Sequence, residues 1–196
     1  MLKPEITREE LNELPLASFE GNIHLITEAR QINGILQKLK NLSFVGFDTE
    51  TRPAFIKGQR YPISLTQLAS EEEVFLIRNK YTGWPESLVD FLADPSVLKI
   101  GVGIRDDIKS IQSELNNEWK PEGFVELNNV VKDLGIISQG IRKLSGLVLG
   151  FRVSKSAQTS NWEKENLNEK QLRYAATDAW CCHRIYSELL IRGYLN

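Results

Sequence analysis

Cysteine is nearly missing from this chain: of 196 residues only Cys181 and Cys182 carry a thiol, and they are neighbours. Adjacent cysteines do not readily close a disulfide, and with only His24 and His183 beside them they do not make a four-ligand zinc site. Both kinds of scaffold are excluded. Long apolar runs are missing too, since no stretch approaches the ~18 residues that a membrane helix needs. The opening segment, MLKPEITREELNELPLASFEG, holds five Glu and two basic residues and no apolar core segment. The expectation is an intracellular, cytoplasmic protein without a targeting signal or membrane partner. Nor is there an excess of positive charge. Lys and Arg total 24 against 26 Asp and Glu, a net charge of -2, so any polyanion site has to be local rather than a product of bulk charge. No internal repeat and no low-complexity tract is present. What remains, 41% hydrophobic and 26% charged residues, is the composition of one globular domain with a real core.

The apolar period changes along the chain. Thr27 is placed to cap a helix through Ile32, Ile35, Leu36 and Leu39. Three strands are then expected, at residues 42–50 (LSFVGFDTE), 63–69 (ISLTQLA) and 73–78 (EVFLIR), rich in β-branched and aromatic residues and close enough in sequence to form a meander. A short helix is predicted after Pro85, a strand over 97–102 (VLKIGV), a helix through Ile104, Ile108, Ile111 and Leu115, and another strand-like piece over 124–127. The C-terminal half reads as almost wholly helical. Strands first, then strands alternating with helices, predict a mixed sheet with helices packed on it, an α/β domain. Residues 1–21 are expected to be an N-terminal extension and residues 22–196 the domain itself.

Three segments bring acids to places where acids are costly. In the first strand Asp48 and Glu50 share one face with Leu42, Phe44 and Gly46, because side chains alternate along a strand. Two carboxylates at the end of a buried strand repel and resist desolvation, so a hard cation with oxygen ligands suits them; a strand running out into solvent is the bland alternative. In Ile100–Ile111 (IGVGIRDDIKSI), Asp106 and Asp107 stand at a helix start, where the macrodipole alone would favour an acid. The glycines there do not make a dinucleotide fingerprint, since Asp106 occupies the third glycine position. In 168–186 (NEKQLRYAATDAWCCHRIY), Asn168 and Gln171 form a capping box, and Tyr174 and Asp178, four apart, share a helix face with Cys181 and Ile185. A core tyrosine bonded to an aspartate is the bland reading here. Taken together, the three segments make structural sense as a cluster held by cations.

FDTET at 47–51, GVGIRDDIKSI, and SNWEK followed by QLRYAATDA resemble the three motifs of the DEDD superfamily of 3′→5′ exonucleases, in its tyrosine branch with ribonuclease D and the Werner syndrome exonuclease domain. The resemblance covers residues 43–190. It implies a ribonuclease H-like fold, a mixed β-sheet flanked by α-helices in a single domain. It implies that Asp48, Glu50, Asp107 and Asp178 hold two divalent ions, Mg²⁺ or Mn²⁺, with Asp106 as the alternative to Asp107, and that Tyr174 orients the attacking water. The histidine of the other branch would fall at Arg173, which places the chain in the tyrosine branch. The activity implied is hydrolysis of the terminal phosphodiester by a two-metal mechanism, releasing nucleoside 5′-monophosphates.

The charge pattern suits a nucleic acid partner, a single strand or a recessed 3′ end. Arg52, Lys57 and Arg60 lie between Glu50 and Glu71 with no acid, and Arg142, Lys143, Arg152 and Lys155 lie between Asp133 and Glu163 with no acid. Thr51, Lys57, Arg60 and Lys155 are the expected substrate contacts. Trp162 and Trp180 could stack on bases but read more readily as core. Resemblance to the Werner domain puts DNA ahead of RNA; a ribonuclease D-like RNA exonuclease, a catalytically silent binding module and a small phosphate hydrolase are the alternatives. No protein partner is implied.

Overall fold

The structure, a computed structural model, describes residues 2–56 and 58–195. In chain order the elements are α1 (Arg8–Glu13), β1 (Asn22–Ile26), α2 (Ala29–Leu39), β2 (Phe44–Thr51), β3 (Ile63–Ala69), β4 (Glu73–Ile77), α3 (Asn79–Thr82), α4 (Glu86–Ala93), β5 (Leu98–Gly101), α5 (Arg105–Glu114), β6 (Phe124–Glu126), α6 (Leu127–Asp133), α7 (Ile141–Leu144), a π-helical turn (Ser145–Leu149) and α8 (Glu169–Ile191). Among the described residues, six strands form one sheet in the order β1-β4-β3-β2-β5-β6. β2, β3 and β4 are the antiparallel meander that the sequence predicts, and β1, β5 and β6 add to it in parallel.

β3 is buried at every position because it is central and covered on both faces. One face, with Val45 and Phe47, packs on Ile32, Leu36 and Leu39 of α2 and Leu88, Phe91 and Leu92 of α4. The other, with Leu65, Ala69 and Leu76, lies under Ala175, Ala176 and Ala179 of α8. Fully burying a side chain such as Phe47 contributes about 2 kcal/mol. Alanines on α8 let its backbone come close to the sheet. At Gly46 the approach is so close that a Cβ would stand 1.9 Å from the Ala179 carbonyl oxygen, so only glycine fits. That contact fixes the height of α8 over β2, two residues before Asp48.

Several details differ from the sequence reading. Glu28, not Thr27, is the N-cap of α2, with its backbone N–H donating to the Gln31 side chain (3.3 Å). β1 has no counterpart in that reading; it is a short edge strand, NIHLI, whose alternation is too brief to stand out. The C-terminal half is not wholly helical: residues 150–167 cross the surface as turns and extended chain, with Arg152 bridged to Leu16. The N-terminal residues pack onto the domain, with Leu11 and Phe19 4% and 2% exposed.

Candidate active site

β2 delivers the first two acids. Asp48 and Glu50 leave the sheet on the side covered by α8, and the helix presents Asp178 one turn beyond Tyr174. α8 is anchored at its start by the predicted capping box: the Gln171 N–H donates to Asn168 Oδ1 (3.0 Å) and the Asn168 N–H to Gln171 Oε1 (3.2 Å). One carboxylate oxygen from each of Asp48, Glu50 and Asp178 lies within 4.8 Å of the others. Two segments far apart in sequence therefore place two strand acids and one helix acid at a single point.

Asp107, in the first turn of α5, is half-buried and accepts a hydrogen bond from the Thr49 hydroxyl, the residue between the two strand acids. Asp106 points the other way: its side chain is 91% exposed and pairs with Lys109 at 3.4 Å. Of the two, Asp107 is the one turned toward β2, but it is not among the three acids that meet within 4.8 Å and does not line the cleft into which they open.

The electrostatics are those of acids forced together in a buried setting. Burial, then the charges of Asp107, Asp178 and Glu50, push the Asp48 carboxyl well above the usual range. Burial and the same neighbours raise Glu50 to about 9. Burial raises Asp178 to about 7, held from going further by Tyr174 and by the positive charge of Lys155. Asp107 is raised by burial against the opposing Thr49 hydrogen bond. Burial, then Asp178 and Glu50, push the Tyr174 phenol far above its ordinary value, so it stays protonated at any working pH.

The cluster opens into a cleft of about 840 Å³. Its remaining charged lining is basic, from Arg8, Arg142, Lys143 and Lys155. Of the expected substrate contacts, Lys155 lines this cleft, Thr51 ends β2 outside the lining, and Arg60 is exposed on the loop after β2. Lys57 lies outside the described residues. Arg52 pairs with Glu163 (3.4 Å) and Arg152 donates to the Leu14 carbonyl (3.0 Å), so both are engaged in the fold. Trp162 is fully buried, and Trp180 is half-buried, stacked on Phe151.

Sequence reasoning missed Thr49, which reads as one more strand-forming residue, and Glu126. The Glu126 carboxylate accepts from the backbone N–H groups of Gly103 and Ile104 (2.9 Å each) and of Asn128 (3.0 Å). It braces the turn at Gly103, φ +74°, from which α5 carries Asp107 to Thr49 on β2. The spacing from β6 to that turn leaves no signal in a linear pattern.

Sheet order and acid cluster together define a ribonuclease H-like domain with a carboxylate centre at the end of its first meander strand. A sequence model described as 3′-5′ exonuclease matches residues 23–192. The chain is 33% identical over 189 residues to the mouse bifunctional 3′-5′ exonuclease/ATP-dependent helicase WRN, covering 91% of this chain and 13% of that protein. It is 29% identical over 211 residues to the human exonuclease mut-7 homolog, covering 93% of this chain and 24% of that protein. The Nibbler EXO domain of Aedes aegypti superposes with a TM-score of 0.79 at 25% identity, covering 90% of this chain and 94% of that one. The chain belongs to the 3′-5′ exonuclease family, a family of nucleases and hence of hydrolases. It spans well under half the length of the two curated relatives. Among the described residues, no helix is long and apolar enough to cross a membrane.

Proposed function

We propose that the protein is a metal-dependent 3′→5′ exonuclease that hydrolyses the terminal phosphodiester of a nucleic acid strand and releases nucleoside 5′-monophosphates. The observation that carries this reading is the meeting of Asp48, Glu50 and Asp178 within 4.8 Å, in a cleft whose other charged residues are basic. The donor set fits hard divalent ions: every ligand is a carboxylate oxygen, and the group is too buried and too mutually repulsive to be at ease without cations. Asp48, Glu50 and Asp178 would hold one Mg²⁺ or Mn²⁺, and Asp48 with Asp107 a second. Such ions, when bound, generate a nucleophile from water near neutral pH and neutralise the leaving 3′-oxygen.

The chain's own groups then have distinct tasks. Tyr174 cannot serve as a base, because its phenol keeps its proton beside Asp178 and Glu50; it orients the attacking water through its hydroxyl. Thr49 fixes one oxygen of Asp107, and the other would be the one that serves the second ion. Lys155 brings a positive charge near Asp178 and meets the phosphate that enters there. As the water oxygen bonds to phosphorus and gives up a proton to solvent, the bond from phosphorus to the 3′-oxygen breaks, and that oxygen takes up a proton from solvent, so the shortened strand leaves with a 3′-hydroxyl. DNA stands ahead of RNA as the substrate, on the resemblance of the motifs to the Werner syndrome domain.

The test is incubation with Mn²⁺ or Mg²⁺ and 5′-labelled DNA and RNA, single-stranded or with a recessed 3′ end, beside Asp48→Ala. The expected result is a metal-dependent ladder shortening from the 3′ end, absent in the variant. Strands that are retarded but stay whole would replace the enzyme with a binding module.

A further inference from the structure

The matched family segment starts at residue 23, yet residues before it are built into the cleft wall. The Ile6 N–H donates to Ser138 Oγ (3.2 Å), the Ile137 N–H to the Pro4 carbonyl (2.7 Å), and the Phe19 N–H to Thr177 Oγ1 (3.0 Å). The Ala17 and Arg152 backbones are joined by a further bond (3.0 Å). Ile6 and Leu11 sit over Gly146, so the strap is seated on the π-helical turn through apolar contact. These ties hold α1 in one orientation.

That orientation sorts its charges. Arg8 and Leu11, three apart and so on one helix face, line the cleft, while Glu9, Glu10 and Glu13 do not. Glu10 is turned to the Thr7 N–H and to Lys3 (3.0 Å). Arg142 Nη2 donates to Asn12 of α1 (3.1 Å), while its Nε is buried without a hydrogen-bond partner among the described residues. Arg8, Lys143 and Lys155 take no part in the ion pairs among the described residues. An otherwise acidic helix thus turns its one basic side chain toward a cleft that three other cations line. Cations that line one cleft and are left out of ion pairs repel one another and suit a polyanion. Pockets for drug-sized ligands run to about 300–1,000 Å³, so 840 Å³ has room for more than a terminal nucleotide.

We infer that this N-terminal strap is half of a phosphate-binding wall: Arg8, with Arg142 and Lys143 of the same cleft, grips the backbone of the strand upstream of the bond to be cut. The inference rests on the exonuclease reading and adds a site for the part of the strand that is not being hydrolysed. Phosphate is the group recognised, so DNA and RNA are both ligands of this wall.

The experiment compares wild type, Arg8→Ala, Arg8→Lys and Lys143→Ala on 5′-fluorescein single strands of two and twelve nucleotides, DNA and RNA in separate arms, with Mn²⁺ over a range of salt. Arg8→Ala should raise KM for the twelve-nucleotide strands about fivefold and flatten the slope of log affinity against log salt by about 0.7, the value for one lost contact to a single strand. The loss should be larger for twelve nucleotides than for two, equal for DNA and RNA, and reversed by Arg8→Lys. Lys143, exposed and without a side-chain hydrogen bond among the described residues, gives the same readout should Arg8→Ala unfold. Unchanged KM and salt slope in folded Arg8→Ala or Lys143→Ala overturns the wall. If wild type cuts no strand, the exonuclease reading has failed, and anisotropy of the same strands still decides the wall through the same change of salt slope.

Discussion

Thr49 stands between Asp48 and Glu50 on β2, and its hydroxyl donates to the Asp107 carboxylate. The strand that carries two of the acids therefore also holds the third in place. Thr49→Val keeps the volume and the β-branch but leaves Asp107 with a free, half-buried oxygen. A lost hydrogen bond to a charged group is worth about 1.5–3 kcal/mol, so cleavage should fall at least tenfold, with a higher demand for metal. Thr49→Ser should retain most of the activity. Initial rates over a metal titration measure both.

Tyr174→Phe removes only the hydroxyl. Because the phenol is locked in its neutral form, its loss should slow turnover by about 10²-fold, in the range of a positioned polar group. The pH profile should keep its shape. Metal binding, followed by calorimetry, should be nearly unaltered, and a large loss of metal affinity would place Tyr174 among the ligands instead.

Stability without metal should depend on pH in a defined sense. Glu50 is raised from 4.5 to about 9 and Asp178 from 3.8 to about 7, so the folded chain holds protons that the unfolded chain has released. Stability is fully present below about pH 4 as far as these groups go, and is lost as pH rises through 7 toward 9. Buried His183, pushed down to about 4, is already neutral across the upper part of that window. With chelator, the melting temperature should fall between pH 7 and 9. Millimolar Mg²⁺ or Mn²⁺ should cancel the fall and add several degrees, as expected for a ligand well above its dissociation constant. A melting curve indifferent to metal at pH 8 would count against the cluster.

Gly46→Ala sets a methyl group against the Ala179 carbonyl. α8 has to move off β2, which should cost roughly 1–3 kcal/mol and draw Asp178 away from Asp48. Activity should fall more steeply than stability, as shown by comparing urea midpoints with cleavage rates at a temperature where the variant is folded.

Glu126→Ala strands the N–H groups of Gly103, Ile104 and Asn128. The turn before α5 should loosen, with faster amide exchange at residues 103–107 and weaker metal dependence. Glu126→Gln keeps an acceptor and should fall between the variant and the wild type.

How much of this could be read from the chain depended on whether the signal was local. The meander was legible because β-branched and aromatic residues run in three close segments, and α8 because Asn168 and Gln171 mark its start. Asp48, Glu50 and Asp178 stood out as charges among apolar neighbours. The choice between Asp106 and Asp107 was not written in the sequence pattern of that helix, since both suit a helix N-terminus; it depends on how α5 docks, which turns Asp106 to Lys109 and Asp107 to Thr49. Arg60 and Thr51 follow the acids in sequence but not in the cleft, because β2 ends and the chain leaves the site. Glu126 braces the turn before α5 and Arg8 lines the cleft through tertiary contacts alone.

The seating of Phe19 and Leu11 bears on where the chain can be cut for laboratory work. A fragment trimmed to open at Ile23 would strip the greasy plugs from beneath α8 and the π-helical turn, and would leave Ser138, Arg152 and Thr177 without their backbone bonds. Such a fragment should be prone to clump in the test tube, however complete its acid cluster looks on paper.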